Sequence, residues 1–216
     1  MKSDSQLQHD VIAELEWDPS IHPTDIGVGV TEGVVTLSGH VRSYAEKLAA
    51  EQAVRRVAGV RALAEELKVR YPSDPKTADP EIAKRIVDLF EWDVSIPDDA
   101  LSVKVEHGWV TLTGTVDWHY QKDAARRAAG KIHGVTGVSD LIVLREVPTS
   151  SDVRERIMAA FKRSAVLDAA GVTVLADGGK VTLGGRVRAW SEREIAERAA
   201  WAAPGVTSVE DNIVVA

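Results

Sequence analysis

Three acidic residues, Glu65, Asp140 and Asp211, hold the same place in three similar segments, LAEELKVR, VSDLIVLR and VEDNIVVA. Each stands two residues before an apolar one, Leu67, Ile142 or Ile213, so on an extended chain it shares the inward face. A carboxylate so placed either accepts from backbone N–H groups at a strand entry or offers an oxygen to a cation such as potassium. Both readings stay open on the residues alone. Tryptophans form a second constellation. Trp17 and Trp92 lie in matched Glu-Trp-Asp triplets at the end of a helical pattern. At ~100° per residue they fall about 120° from the apolar stripe, facing solvent. An indole there can enter a membrane interface or bury in a protein contact. Glu16, Asp18, Glu91 and Asp93 flank the pair and would be repelled by anionic lipid, which favours protein. A third group, Lys122, Arg126, Arg127 and Lys131, is spaced to share one side of a helix, either as a solvated face or as a patch for anionic headgroups.

Catalytic constellations are not found. The six histidines, His9, His22, His40, His107, His119 and His133, share no repeated place and lack the i, i+4 spacing of helical zinc ligands. The chain has no cysteine, which removes thiolate chemistry and disulfides. Paired acid–base carboxylates need a pocket that drives their pKa values apart, and small units hold little besides a core. The expectation is a protein that is no enzyme and has no cofactor and no metal centre.

The elements that position these residues come in triplicate. GVVTLSGHV at 33–41, GWVTLTGTV at 108–116 and GKVTLGGRV at 179–187 are each followed at one distance by Gly59-Val60, Gly134-Val135 or Gly205-Val206. Within each unit Leu7, Val11 and Leu15, or Ile82, Ile86 and Phe90, or Val153, Ile157 and Phe161, recur at helical spacing. Alternating strands then flank a tight turn at Gly33, Gly108 or Gly178-Gly179, predicting a hairpin. Ser43 with Glu46, and Ser191 with Glu194, have capping-box spacing for a second helix. Its predicted apolar faces are Ala49, Ala53 and Val57; Ala124, Ala128 and Ile132; Ile195, Ala199 and Ala203. Gly59, Gly134 and Gly205 supply the left-handed stop. Gly39, Gly114 and Gly185 fall on the inward face of the middle strand, where a side chain would hold the alanine helix off the sheet.

The predicted fold class is α+β: three tandem α-β-β-α-β domains, each with two helices on one face of a small three-stranded mixed sheet. Boundaries fall at 1–71, 72–147 and 148–216, with linkers at about 71–78 and 146–150. Trp109 lies on the outer sheet face, and Trp118, Trp190 and Trp201 lie around the second helices, available for repeat–repeat or subunit interfaces.

Charge bounds the partners. The net charge of -7 leaves no basic excess to displace counterions, which argues against nucleic acid. Unit one has 8 basic against 11 acidic residues, unit two 9 against 13, and unit three 9 against 9. The third is therefore the least repelled by an anionic surface, and the first two are the better protein contacts. No apolar run is long enough for a transmembrane segment, and the start lacks the pattern of a secretory leader. The expected compartment is the cytoplasm, or the periplasm if a leader has been removed.

The triplicate G-x-V-x-L-x-G-x-V with its late Gly-Val, inside an α-β-β-α-β unit of about 70 residues, resembles the BON domain (bacterial OsmY and nodulation domain). That resemblance implies non-catalytic domains of osmotic-stress and envelope proteins, associated with phospholipid or membrane-surface binding. A potassium-binding relative makes monovalent cation binding a second implication. From the residues, a self-associating homo-oligomer or a partner-binding scaffold stands beside them.

Overall fold

The computed structural model describes residues 2–71, 78–97, 99–146, 152–164 and 169–215. The order α-β-β-α-β occurs three times. Repeat one has α1 (Asp4–Trp17), β1 (Ile26–Thr31), β2 (Val34–Val41), α2 (Tyr44–Arg56) and β3 (Ala62–Val69). Repeat two has α3 (Asp79–Trp92), β4 (Leu101–Glu106), β5 (Trp109–Val116), α4 (His119–Gly130) and β6 (Gly137–Leu144). Repeat three has α5 (Val153–Arg163), β7 (Val172–Asp177), β8 (Lys180–Val187), α6 (Trp190–Trp201) and β9 (Ser208–Val215). Each set of strands makes its own three-stranded sheet with the second strand central. In repeats two and three the hairpin is antiparallel and the last strand joins in parallel, so the sheets are mixed. Most of the two expected linkers, residues 72–77 and 147–150, lies outside the described residues.

Contacts divide the chain into two compact units, Met1–Ser38 with Ala50–Glu66 and Glu146–Ala216, and Gly39–Ala49 with Leu67–Arg145. The second repeat lies in one and the third in the other.

Burial follows the two periods. Leu7, Val11 and Leu15, then Ile82, Ile86 and Phe90, then Val153, Ile157 and Phe161 are the buried stripes of the first helices. The middle strands bury Val35 and Leu37, Val110 and Leu112, and Val181 and Leu183. The second helices bury Ala53, Val57, Ala124, Ala128 and Ala203 of the expected stripe, together with the adjacent row Ala50, Ala125, Ala129, Ala196 and Ala200. Ala49, Ile132, Ile195 and Ala199 of that stripe are only partly buried. Small alanines let the helix lie close enough to the sheet for two neighbouring rows to be covered.

Two further local readings change. In α2, Ser43 Oγ accepts from Glu46 N (3.1 Å), the serine arm of the expected capping box, while Glu46 reaches one residue further back and accepts from Arg42 N (2.6 Å). In the third repeat the helix starts at Trp190 instead, and Glu192, not Glu194, accepts from the earlier N–H, Arg188 N at 2.8 Å. Ser191 is already inside the first turn. The mid-strand glycines also have a different reason. Gly114 and Gly185 adopt φ of 135° and 106°. A Cβ there would overlap the carbonyl oxygen of Ala100 or Gly171, at the entry to the first strand. The loop, not the alanine helix, is what comes too close.

One device was not foreseen. Asp4 accepts from Glu32 N (2.7 Å) and Gly33 N (3.0 Å), and Asp79 from His107 N (2.8 Å) and Gly108 N (2.9 Å). Each carboxylate at the start of the first helix clamps the tip of the hairpin. Glu32 and His107 hold positive φ in that two-residue turn, which matches the twist of the strands.

Candidate functional site

The first helices of repeats one and two end on a tryptophan because the next residue turns the chain. Asp18 takes extended backbone angles, and its Oδ1 accepts from Ser20 N (3.0 Å) and Ser20 Oγ (2.6 Å). Asp93 does the same with Ser95 N (2.9 Å) and Ser95 Oγ. Such side-chain turns compete with helix continuation and end it. Ile21 and Ile96, three residues on, are buried and anchor the reversed chain. The last helical residue is thereby left projecting, with Trp17 84% and Trp92 85% exposed. Val94, beside Trp92, is fully exposed.

The same turns fix the charge around the indoles. Hydrogen bonds from Ser20, with Arg56 nearby, hold the Asp18 carboxyl below its ordinary value. Those from Ser95 do so for Asp93. Arg56 also bridges Glu14 (2.7 Å) and Asp18 (3.3 Å), so the first indole stands beside a partly neutralised cluster. In the third repeat the triplet is replaced by Lys162-Arg163-Ser164, and no indole projects there.

The other tryptophans have partners within the chain. The Trp109 ring lies against Gly137 on the neighbouring strand, where a Cβ would collide with it. Its Nε1 donates to Ser139 Oγ at 2.8 Å, and half of the residue stays exposed. Trp118 is partly exposed at the start of α4. The Trp190 ring has the guanidinium groups of Arg55 and Arg193 at 5.3 and 5.7 Å, within cation–π range. Trp201 Nε1 donates to Glu197 at 3.3 Å.

Two of the three recurring carboxylates, Asp140 and Asp211, meet cations of the chain itself. Asp140 Oδ1 accepts from Ile142 N (3.0 Å) and has Lys122 Nζ at 3.5 Å, while Lys122 donates to Ile142 O at 2.7 Å. Asp211 Oδ1 accepts from Ile213 N (2.9 Å), and its Oδ2 accepts from Arg193 Nε. Lys47, which matches Lys122 and Arg193, donates to Leu67 O at 3.1 Å, and Glu65 is exposed on its strand. Lys122 thus points at β6, apart from Arg126, which pairs with Asp123 at 3.3 Å. Among the described residues no three His, Cys, Asp or Glu side chains gather as a metal site, and no helix is long and apolar enough to cross a membrane.

Comparison with known proteins agrees with this architecture. A family model described as the BON domain matches residues 3–71, 78–146 and 149–216. "Osmotically-inducible protein Y" of Escherichia coli (strain K12) is 34% identical over 146 residues, 63% of this chain and 70% of that protein. Among solved structures, CdsD, a structural protein of the type III secretion system of Chlamydia trachomatis, aligns over 98% of this chain and 92% of its own, at 17% identity and a TM-score of 0.26. A second structure, of its C-terminal domain, aligns over 100% of both chains at 15% identity and the same TM-score of 0.26, too low to indicate a shared arrangement.

Proposed function

The chain belongs to the BON domain family, and from that premise we propose that it is a non-catalytic binding protein of osmotic stress whose first two repeats hold a protein partner through Trp17 and Trp92. Likeness to the osmotically inducible protein supports the stress role. The observation that carries the contact is the pair of indoles, 84% and 85% exposed, set on the same Asx turn in two repeats. Large aromatics left in water at a built position are the usual anchors of protein interfaces. Acidic flanks at both sites, in a chain of net charge -7, favour a partner over an anionic bilayer.

Binding to a phospholipid surface is the second reading. It is favoured by the fully exposed Val94 beside Trp92, an apolar pair of the kind that enters an interface.

A photo-crosslinking residue placed at 17 or 92 in cells under osmotic upshift tests the first reading. Discrete adducts at both positions, and not at 163 in the third repeat, are expected. Absence of adducts at both, with sedimentation of the protein on anionic phospholipid vesicles, would replace the protein contact with the lipid one.

A further inference from the structure

The first strand of each repeat is an edge of its sheet, beside the first helix. Hydrogen bonding of the hairpin alternates along such a strand, so every second residue directs both backbone groups outward. Thr115 N donates to Ala100 O at 3.3 Å, which by alternation makes Leu101, Val103 and Val105 the outward set of β4. The first helix caps one outward carbonyl of this edge in the other two repeats. Gln8 Nε2 donates to Val28 O at 2.7 Å, and Arg154 Nε to Val174 O at 3.1 Å. Val103 is the matching strand residue in repeat two, but Ala83 stands in the place of Gln8 and Arg154. Its methyl group cannot reach a carbonyl across that gap and has nothing to donate.

A groove lies at the start of the same strand. It is lined by Val87, Phe90, Glu91, Pro97, Asp99 and Leu101, with a volume of about 350 Å³. The counterpart in repeat one, along Ile12, Leu15 and Ile26, is smaller at about 210 Å³. In repeat three Val172, which matches Leu101, is 3% exposed, and Met158, which matches Val87, packs on the core. Among the described residues, the second repeat joins an edge that Ala83 leaves unplugged to a groove lined by apolar Val87, Phe90, Pro97 and Leu101 and by acidic Glu91 and Asp99. Asp99 sits at φ 57°, an uncommon angle that sets it where β4 begins.

We infer that the second repeat takes an extended, cationic segment of a protein partner as an added strand along β4, with apolar side chains in this groove. The inference rests on the protein-contact reading above and deepens it. Strand addition draws its affinity from the outward N–H and C=O groups of 101, 103 and 105, and its side-chain preference from the groove. Charge selects the segment: Glu91 and Asp99 on the groove favour Lys or Arg at its ends and disfavour Asp or Glu. A lipid headgroup offers no alternating donors and acceptors to such an edge.

The probe is a synthetic heptapeptide, Lys-Val-Thr-Val-Thr-Val-Lys, added to the full chain, with amide exchange at Leu101, Val103 and Val105 followed by NMR. Saturating peptide should slow those three amides about tenfold, and its affinity should fall as salt rises. The same peptide with glutamate ends should bind about tenfold more weakly. Ala83→Gln, which copies the plug of repeat one at a helix position that tolerates it, should reduce affinity about tenfold with an unchanged unfolding midpoint. Unaltered exchange at all three amides at millimolar peptide, equal binding by Ala83→Gln, or protection of these amides by anionic vesicles and not by the peptide would each overturn the inference. Trp92 separates the two claims. Crosslinking at 92 without protection of β4 keeps the partner contact and rejects the added strand, whereas peptide protection that persists without crosslinking at 92 supports the strand by itself.

Discussion

Repeats two and three share a core and differ in almost everything around it. Val110 and Leu112 in one, Val181 and Leu183 in the other, are completely buried at matching positions. Yet Trp92 stands in solvent where repeat three has Arg163, and Ala83 stands beside β4 where Arg154 caps a carbonyl of β7. The indoles of repeat three lie instead against side chains of the protein, Trp190 within cation–π range of two guanidinium groups and Trp201 on Glu197. Apolar burial thus fixes the fold through a small set of positions, and the surfaces of equivalent units are left free to acquire different contacts.

The strongest way to break this parity is in the core. Leu112→Ala and Leu183→Ala should each lower stability by about 3 kcal/mol, since both remove a fully buried side chain next to stiff β-branched neighbours. Chemical denaturation measures both losses, and a large inequality would mean that the two cores are not equivalent. Next come the cations beneath the last strands. Lys122→Ala and Arg193→Ala should each cost about 1.5 kcal/mol, because a mostly buried carboxylate and a strand carbonyl lose a charged donor.

Acid should separate the repeats. Asp79 is held below its ordinary value by the N–H groups of Gly108 and His107, and Asp93 by Ser95. A depressed carboxyl contributes stability above its unfolded pKa and loses it as pH falls through the folded one. Repeat three has Ser150 and Ser164 at those places, so native-state hydrogen exchange should accelerate below the ordinary carboxylate range more in repeat two than in repeat three. The smallest effect belongs to the exposed indoles. Trp17→Ala and Trp92→Ala should move the unfolding free energy by no more than about 0.5 kcal/mol while removing the most solvent-exposed part of the emission.

Much of this was legible in the residues. The triplicate pattern gives the element order and the apolar stripes, since periods of 3.6 and 2 are local properties. The helical angle of Trp17 and Trp92 gives their exposure. What stayed hidden depends on distances between segments far apart in the chain. Nothing in the spacing of Lys122 and Asp140 says that a second helix sets the one above the other, so the lysine reads equally as a surface charge. Trp109 reads as a free outer-face aromatic because its partner, Gly137, lies 28 positions on. The edge of β4 is invisible until the register shows which backbone groups turn outward, and only then does Ala83 become informative.

The aspartate clamp also bears on how the protein assembles. Asp79 ties the head of α3 to a hairpin tip only 28 residues away, so the helix and its hairpin close one short loop. The crossover strand must wait for α4. Loop closure of that length costs little entropy, and contacts close in sequence form early. Repeats one and two should therefore fold first as a helix on a two-stranded ribbon and acquire their third strand last. That makes the late strand, together with the helix leading to it, the element most open to exchange between copies of the chain during synthesis.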